Sequence, residues 1–144
     1  MEIEIRSPKT KSEWENYYEL RFRVLREPWK QPRGSEKNEG DTIGIHLALF
    51  QFGVIKAIAR LDVFDEHVGQ VRFVAVESDN QGSGLGNRIM REAEKLSIAR
   101  GDTHMILHAR EQAVGFYLNQ GYDLIKKSHL LFDTIQHYLM QKRY

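Results

Sequence analysis

The clearest chemical signal in the chain is the six-residue stretch Gln81-Gly82-Ser83-Gly84-Leu85-Gly86. It follows the apolar run Val71-Arg72-Phe73-Val74-Ala75-Val76 and precedes an amphipathic segment, so it reads as strand, glycine turn and helix start. The first four amides of a helix have no acceptor within it, and the helix dipole makes that end partly positive. Such a turn suits an anion, a phosphate above all, and glycine keeps Cβ atoms out of its way. Two familiar phosphate turns do not fit the letters. A nucleotide-binding loop of the Walker type needs Lys-Ser or Lys-Thr after its last glycine, where this chain has Asn87-Arg88. A dinucleotide fingerprint needs G-x-G-x-x-G in the first strand-to-helix turn and an acidic residue about 20 positions on. Here the spacing is Gly82-x-Gly84-x-Gly86, past the middle of the chain, and Asp102 opens no ribose-binding strand end.

Histidine supplies the other reactive groups, since it exchanges a proton near neutral pH. His46 opens a strand just after a long polar loop, and His137 lies on the last strand. A histidine on a strand is more often structural, and Glu77, leaving the strand before the glycine turn, is a weaker candidate base. His104 and His108 invite a metal reading, but four residues along a strand span about 13 Å, too far for one ion. No metal is expected. The chain has no cysteine, which excludes a thiol nucleophile and a disulfide framework.

These groups must be positioned by the elements around them. Ile3 and Ile5 alternate with Glu2, Glu4 and Arg6, a brief first strand. Thr10 and Glu13 form a capping box for a helix over about residues 11 to 26, which Pro28 stops. Lys30 to Asp41 is polar and broken by Pro32, Gly34 and Gly40, a loop of unusual length and hence a candidate lid or substrate wall. Ile45 to Phe52, Val54 to Phe64 and Gly69 to Val76 read as three strands. Leu85, Ile89, Ala93 and Leu96 then recur at helical spacing until Gly101, with Arg88, Arg91 and Lys95 on the solvated side. Arg88, nearest the turn, is the one placed for a phosphate contact. Thr103 to Ala109 reads as a strand, Glu111 to Asn119 as a short helix, and the remainder as a terminal pair of strands. Hairpins first and helical crossovers later make a mixed α/β domain.

Composition bounds the rest. The 144 residues suffice for one domain, 1–144, and are too few for two of ordinary size. A net charge of +1, with both signs mixed along the chain, does not indicate a nucleic-acid scaffold. The N-terminus has neither a basic segment nor an apolar run, and no stretch approaches the length of a membrane span, so a cytoplasmic protein is the expectation.

Val74-Ala75-Val76 followed by Gln81-x-x-Gly84-x-Gly86 resembles the acetyl-CoA motif of the GNAT superfamily of N-acetyltransferases. The resemblance continues through Arg60-Leu61, Leu107-His108-Ala109-Arg110, Ala113, Phe116-Tyr117, Gly121-Tyr122 and the closing Ile135-Gln136-His137-Tyr138-Leu139-Met140, roughly residues 43 to 144. Arg110 departs from it, because many members carry Asn there to contact the pantetheine arm. The implied fold is a mixed, mainly antiparallel sheet of six to seven strands with helices on both faces. The implied activity is acetyl transfer from acetyl-CoA to a primary amine, on a small molecule or a protein, by direct attack. Amides around Val74, Ala75 and Val76 would hold the pantetheine and the acetyl oxygen. Those of Gln81, Gly82, Ser83, Gly84, Leu85, Gly86, Asn87 and Arg88 would hold the pyrophosphate.

Tyr117 matches the superfamily tyrosine near the thioester sulfur and is the expected general acid. His137 occupies the histidine of the I-x-H-x-x-M close and is the first choice for base, with His46 second. Glu36, Glu39 and Asp41 in the long loop are candidates to attract a cationic amine. The acceptor is expected to enter where the sheet splays between its fourth and fifth strands, with the loop, His46 and His137 bordering one pocket. The resemblance admits a homodimer and implies neither nucleic acid nor membrane as partner. A catalytically silent acyl-CoA-binding module, or one half of a larger assembly, stays open on the sequence.

Overall fold

The computed structural model describes residues 2–144. Seven strands form one sheet: β1 (Ile3–Arg6), β2 (Ile45–Gln51), β3 (Val54–Asp65), β4 (Val68–Val76), β5 (His104–Arg110), β6 (Asp123–Leu131) and β7 (Ile135–Arg143), in the order β1-β2-β3-β4-β5-β7-β6. Every neighbouring pair is antiparallel except β4 and β5. Parallel neighbours need a crossover, and helix α2 (Leu85–Ala99) supplies it. Helix α1 (Lys11–Leu25) covers one face of the sheet, while α2 and the short α3 (Val114–Leu118) cover the other. This is the mixed, mainly antiparallel architecture with helices on both faces that the resemblance implies. Among the described residues no helix is long and apolar enough to cross a membrane.

Local chemistry sets the boundaries. The Glu13 amide donates to Thr10 Oγ1 at 3.1 Å, which is half of the expected capping box, and Arg6 clamps the Glu13 carboxylate at 2.9 and 3.0 Å. Helix α1 stops at Leu25, and Pro28 is accommodated in a 3₁₀ turn over Glu27–Trp29. Strand β2 ends one residue earlier than expected because Phe52 takes up φ +51° in the turn that follows. The segment expected as a helix over Glu111 to Asn119 divides into a 3₁₀ turn, Glu111–Ala113, and α3. Leu47 through Phe50 are all buried because helices cover both faces of the central strands, so alternation is lost there.

The core is correspondingly double. On the α2 face Leu49, Ala59, Leu61, Ile89, Met90, Met105, Leu107 and Met140 pack together. On the α1 face Tyr17, Leu20, Leu25, Ala48, Phe50, Ile58 and Ala75 form a second cluster. Between the two lies the feature that makes a site. Strands β4 and β5 pair only through Val68, Gly69 and Gln70 with His104, Met105 and Ile106, and then part. The divergence coincides with a bulge in β4: its register against β3 slips between Ile58 and Arg60, opposite Phe73, whose φ is +55°. A bulge adds a residue to one strand and sharpens its twist, turning the rest of β4 away from β5.

The long loop is not a free wall. It ends in a 3₁₀ turn, Glu39–Thr42, capped by Asn38, and it is tied inward by Asp41. That carboxylate lies 2.9 Å from Arg21 Nη1 and 2.7 Å from Arg60 Nη1, both side chains fully buried. Burial alone would raise the Asp41 carboxyl, but hydrogen bonds from Arg60 and Arg21 outweigh it and hold the group below its ordinary value.

Candidate active site

The opening between β4 and β5 is a cleft of about 1000 Å³. This is at the upper end of the usual range for a small-molecule pocket. Its β4 wall is Gln70 to Val76, its β5 wall Leu107 to Arg110, and its floor and ends come from Trp29, Phe116, Tyr117, His129 and His137. At one end lies the start of α2. Of the turn residues, Gln81, Gly82, Gly84, Gly86 and Asn87 line the cleft, as do Val74, Ala75 and Val76. Ser83, Leu85 and Arg88 do not. The Ser83 hydroxyl turns back onto the Asn80 carbonyl, the Leu85 side chain is buried in the core, and Arg88 is exposed.

The turn's backbone is open for an anion. Gly82 and Gly84 adopt φ +85° and +87°, which glycine reaches without strain, and a Cβ at either would meet nothing within 4 Å. No side chain caps α2, and its first intrahelical bond runs from the Arg88 amide to Gly84 O, leaving the Leu85, Gly86 and Asn87 amides without helical acceptors. Gly86 serves another purpose than the sequence suggests. A Cβ there would lie 2.9 Å from Phe116 Cζ, so this glycine admits an aromatic ring of the protein rather than a ligand.

Tyr117 is buried, its ring edge-on to Phe116 at 4.9 Å and to Tyr122 at 5.8 Å. Among the described residues its hydroxyl has no hydrogen-bond partner, and burial pushes the phenol above its ordinary value, so it stays protonated across the neutral range. His137 is paired in register with Arg110 across β5 and β7, which puts both side chains on the α1 face, whereas Tyr117 packs on the α2 face. Both line one cleft because the opening passes between the strands from one face to the other. The His137 Nδ1–H donates to Ile135 O at 3.0 Å, which leaves Nε2 as the basic nitrogen without a partner among the described residues. Burial, with lesser contributions from His129, Arg110 and His108, lowers this histidine's pKa and favours the neutral form.

His46 stands apart from the cleft. Its Nδ1 accepts from the Tyr17 hydroxyl and its Nε2 faces Asp41 O, both at 2.8 Å, with the ring packed edge-on to Trp14. Both nitrogens are occupied, and burial lowers the pKa so that the ring is neutral. The expected common border of His46, the long loop and His137 is therefore not present. Glu36 and Asp41 are turned inward, Asp41 onto Arg21 and Arg60 and Glu36 onto the Gly34 amide at 2.8 Å, and only Glu39 of the three is exposed. The loop's acids are thus no attractor for a cationic amine at this cleft. Glu77 is clamped by Arg23 at 2.6 Å, which lowers its pKa and ties up the oxygens a base would need.

Several cleft residues were not legible as site residues. His108 faces the opening with its Nδ1 buried and without a partner among the described residues, and its ring is tilted against His129, 5.3 Å away, which stacks on His137 at 4.4 Å. Arg110 lies over the Trp29 ring at 4.4 Å, and burial, aided by Arg26, brings it down to about 10, still cationic at neutral pH. The alternation His108, Ala109, Arg110 was the available signal, since two polar residues at period two on an interior strand need something polar to face.

A sheet splayed beside a glycine-rich helix start, with a buried phenol and a neutral imidazole in the opening, defines an acyl-CoA N-acyltransferase. Residues 46–144 match the family model of the acetyltransferase (GNAT) domain, and the chain belongs to that family. It is an acyltransferase. Over 134 residues it is 25% identical to the uncharacterized N-acetyltransferase YjcF of Bacillus subtilis strain 168, covering 93% of this chain and 95% of that protein. Among solved structures it is similar to an acyl-CoA N-acyltransferase from Pseudomonas aeruginosa, with TM-score 0.80, 24% identity and 97% of each chain covered. It is also similar to an aminoglycoside 6'-N-acetyltransferase complexed with coenzyme A, with TM-score 0.82 at 15% identity over 99% of this chain and 97% of that one. Such likenesses speak for the fold.

Proposed function

We propose that the chain forms one N-acetyltransferase domain, 1–144, that moves an acetyl group from acetyl-CoA to a primary amine by direct attack. The observation that carries this reading is the splay. Because β4 and β5 pair at three positions only, one continuous cleft joins the free amides at the start of α2 to Tyr117 and His137.

Bound acetyl-CoA supplies an acetyl group already activated as a thioester. The amides of Gly84 to Asn87, with Gly82 giving the turn its shape, receive the pyrophosphate. The edge of β4 beyond Gln70, which has no β5 partner, offers unpaired backbone donors to the pantetheine and to the acetyl oxygen around Val74 to Val76. His137 Nε2 takes the proton that the amine must shed as the C–N bond forms. Tyr117 gives its hydroxyl proton to the sulfur as the C–S bond breaks, and its raised pKa ensures that the proton is there to give. One proton leaves the amine and one reaches the thiolate without a covalent enzyme intermediate, and passage of a proton from the His137 imidazolium to the Tyr117 phenolate, through solvent, restores both groups.

The deciding experiment is thiol release from acetyl-CoA across a broad amine panel, beside calorimetric titration with coenzyme A. Turnover with at least one amine, together with saturable coenzyme A binding, is expected. Binding without turnover on any amine would leave the catalytically silent acyl-CoA module as the answer.

A further inference from the structure

The charge around the acceptor end of the cleft is one-sided. Arg26, Arg72 and Arg110 line it, no Asp or Glu does, and none of the three has a carboxylate within ion-pair distance among the described residues. Outside the cleft the arginines without an acid partner among the described residues, Arg88, Arg91 and Arg143, are exposed to water. Arg6, Arg21, Arg23, Arg33, Arg60 and Arg100 are each paired with an acid. Arg26 and Arg110 are also substantially withdrawn from water, and Arg26 opposes the charge of Arg110. Part-buried guanidiniums that repel one another and lack a counter-ion are costly, and an incoming anion relieves that cost.

Their donors are available. Arg26 spends Nε on Ser35 O at 3.0 Å and Nη1 on Leu25 O at 2.9 Å, leaving Nη2. Among the described residues Arg110 has only one long bond, Nη2 to Leu25 O at 3.4 Å, while Arg72 is exposed with its guanidinium 5.4 Å from the Phe73 ring. All three sit on the α1 side, away from the amides at the start of α2. Arg110 contacts Trp29 and Leu25 after α1, Arg72 is paired in register with the buried Arg60, and Arg26 caps α1 itself. Arg110 also faces His137 across β5 and β7.

We propose that the acceptor is an amine that also carries an oxyanion, a carboxylate or a phosphate monoester, which Arg26, Arg72 and Arg110 receive while the amino group reaches His137. The inference rests on the acetyl-transfer reading for the amine, and on the arginines alone for the anion. A planar guanidinium matches either oxyanion with two parallel hydrogen bonds, whereas a polyamine would set like charges together.

The test separates the two layers. Thiol release is measured with ω-amino acids from glycine to 6-aminohexanoate, each against its own amide, with 2-aminoethyl phosphate and putrescine alongside. In parallel, the N-acetylated acids, amides and phosphate are titrated calorimetrically into the protein–coenzyme A complex, which needs no turnover. At least one acid or the phosphate is expected to exceed its uncharged counterpart by about tenfold or more in kcat/KM and in product affinity, the size of one charge-assisted contact. Arg72→Gln should cut that ratio severalfold, and the carboxylate and phosphate arms say which oxyanion fits. Equal use of acids, amides and diamine, with equal product binding, overturns the inference while acetyl transfer stands. Preferential binding of the acids without turnover on any amine supports the anion site and defeats acetyl transfer. If Arg72→Gln weakens coenzyme A as much as it weakens the acid product, the arginines serve the cofactor and the proposal falls.

Discussion

At the scale of single residues, the proposed acetyl transfer assigns the acid to the Tyr117 hydroxyl and the base to Nε2 of His137. Tyr117→Phe keeps the edge-on contacts with Phe116 and Tyr122 and deletes only an oxygen that has no partner among the described residues. Turnover should fall by about 10²–10⁴ with coenzyme A affinity unchanged. A loss within about twofold of the parent, far below that range, would reduce the residue to packing. For His137 the lowered pKa means that the basic form dominates through neutrality. His137→Gln should therefore lose most activity near neutral pH and progressively less in alkaline solution, where the amine sheds its own proton, and a pH-rate profile of both proteins reads this directly. A loss independent of pH would make His137 a positioning residue. These two residues were visible in the sequence because each falls in a spaced pattern. Arg72 was not, because the face a strand residue shows depends on an unbroken alternation. The bulge breaks it, so that Arg72, opposite Arg60, and the adjacent Phe73 both turn to the α1 side.

At the scale of elements, the glycine turn and the long loop behave in opposite ways. The turn is open, so Gly84→Asp should abolish coenzyme A binding by setting a carboxylate in the proposed pyrophosphate site. Gly84→Asn bears nearly the same backbone strain at φ +87° without the charge, and should retain much of the affinity. Calorimetry on both, with circular dichroism to verify folding, separates charge from strain. The loop is closed down onto the fold. Asp41→Asn leaves Arg21 and Arg60 buried without their shared counter-charge, and a loss of about 3–5 kcal/mol of stability is expected in urea unfolding. Caps and breakers such as Thr10, Pro28 and Gly101 made most element boundaries legible to within a residue or two. The loop's state was not legible, because the arginines that hold Asp41 lie 20 positions before it and 19 after it, and an acid among polar residues looks the same whether solvated or buried.

Over the whole molecule, three histidines, His46, His108 and His137, have pKa values lowered mainly by burial. The unfolded chain, with histidine near its ordinary value of about 6.5, binds protons first on acidification, so stability should fall as pH drops through that value. Melting temperatures at pH 7.5 and 5.5 should show the decrease, and His46→Gln should shrink it. Patterning indicated a mixed α/β domain and the resemblance a sheet covered on both faces, but the strand order and the depth of the splay were not legible, since the splay depends on how few rungs join β4 to β5. Those three rungs also have a history to tell about assembly. The α1-side cluster draws all its buried members from Tyr17 to Ala75, on α1 and the hairpin strands β2 to β4, whereas the α2-side cluster must gather residues from Leu47 to Met140. Contacts close in sequence are reached sooner than distant ones. The first half of the chain is thus expected to consolidate before the parallel seam forms, and pulsed amide labelling during refolding should find Ala48 and Ile58 protected earlier than Leu107 and Met140, with the cleft the last part of the molecule to come into being.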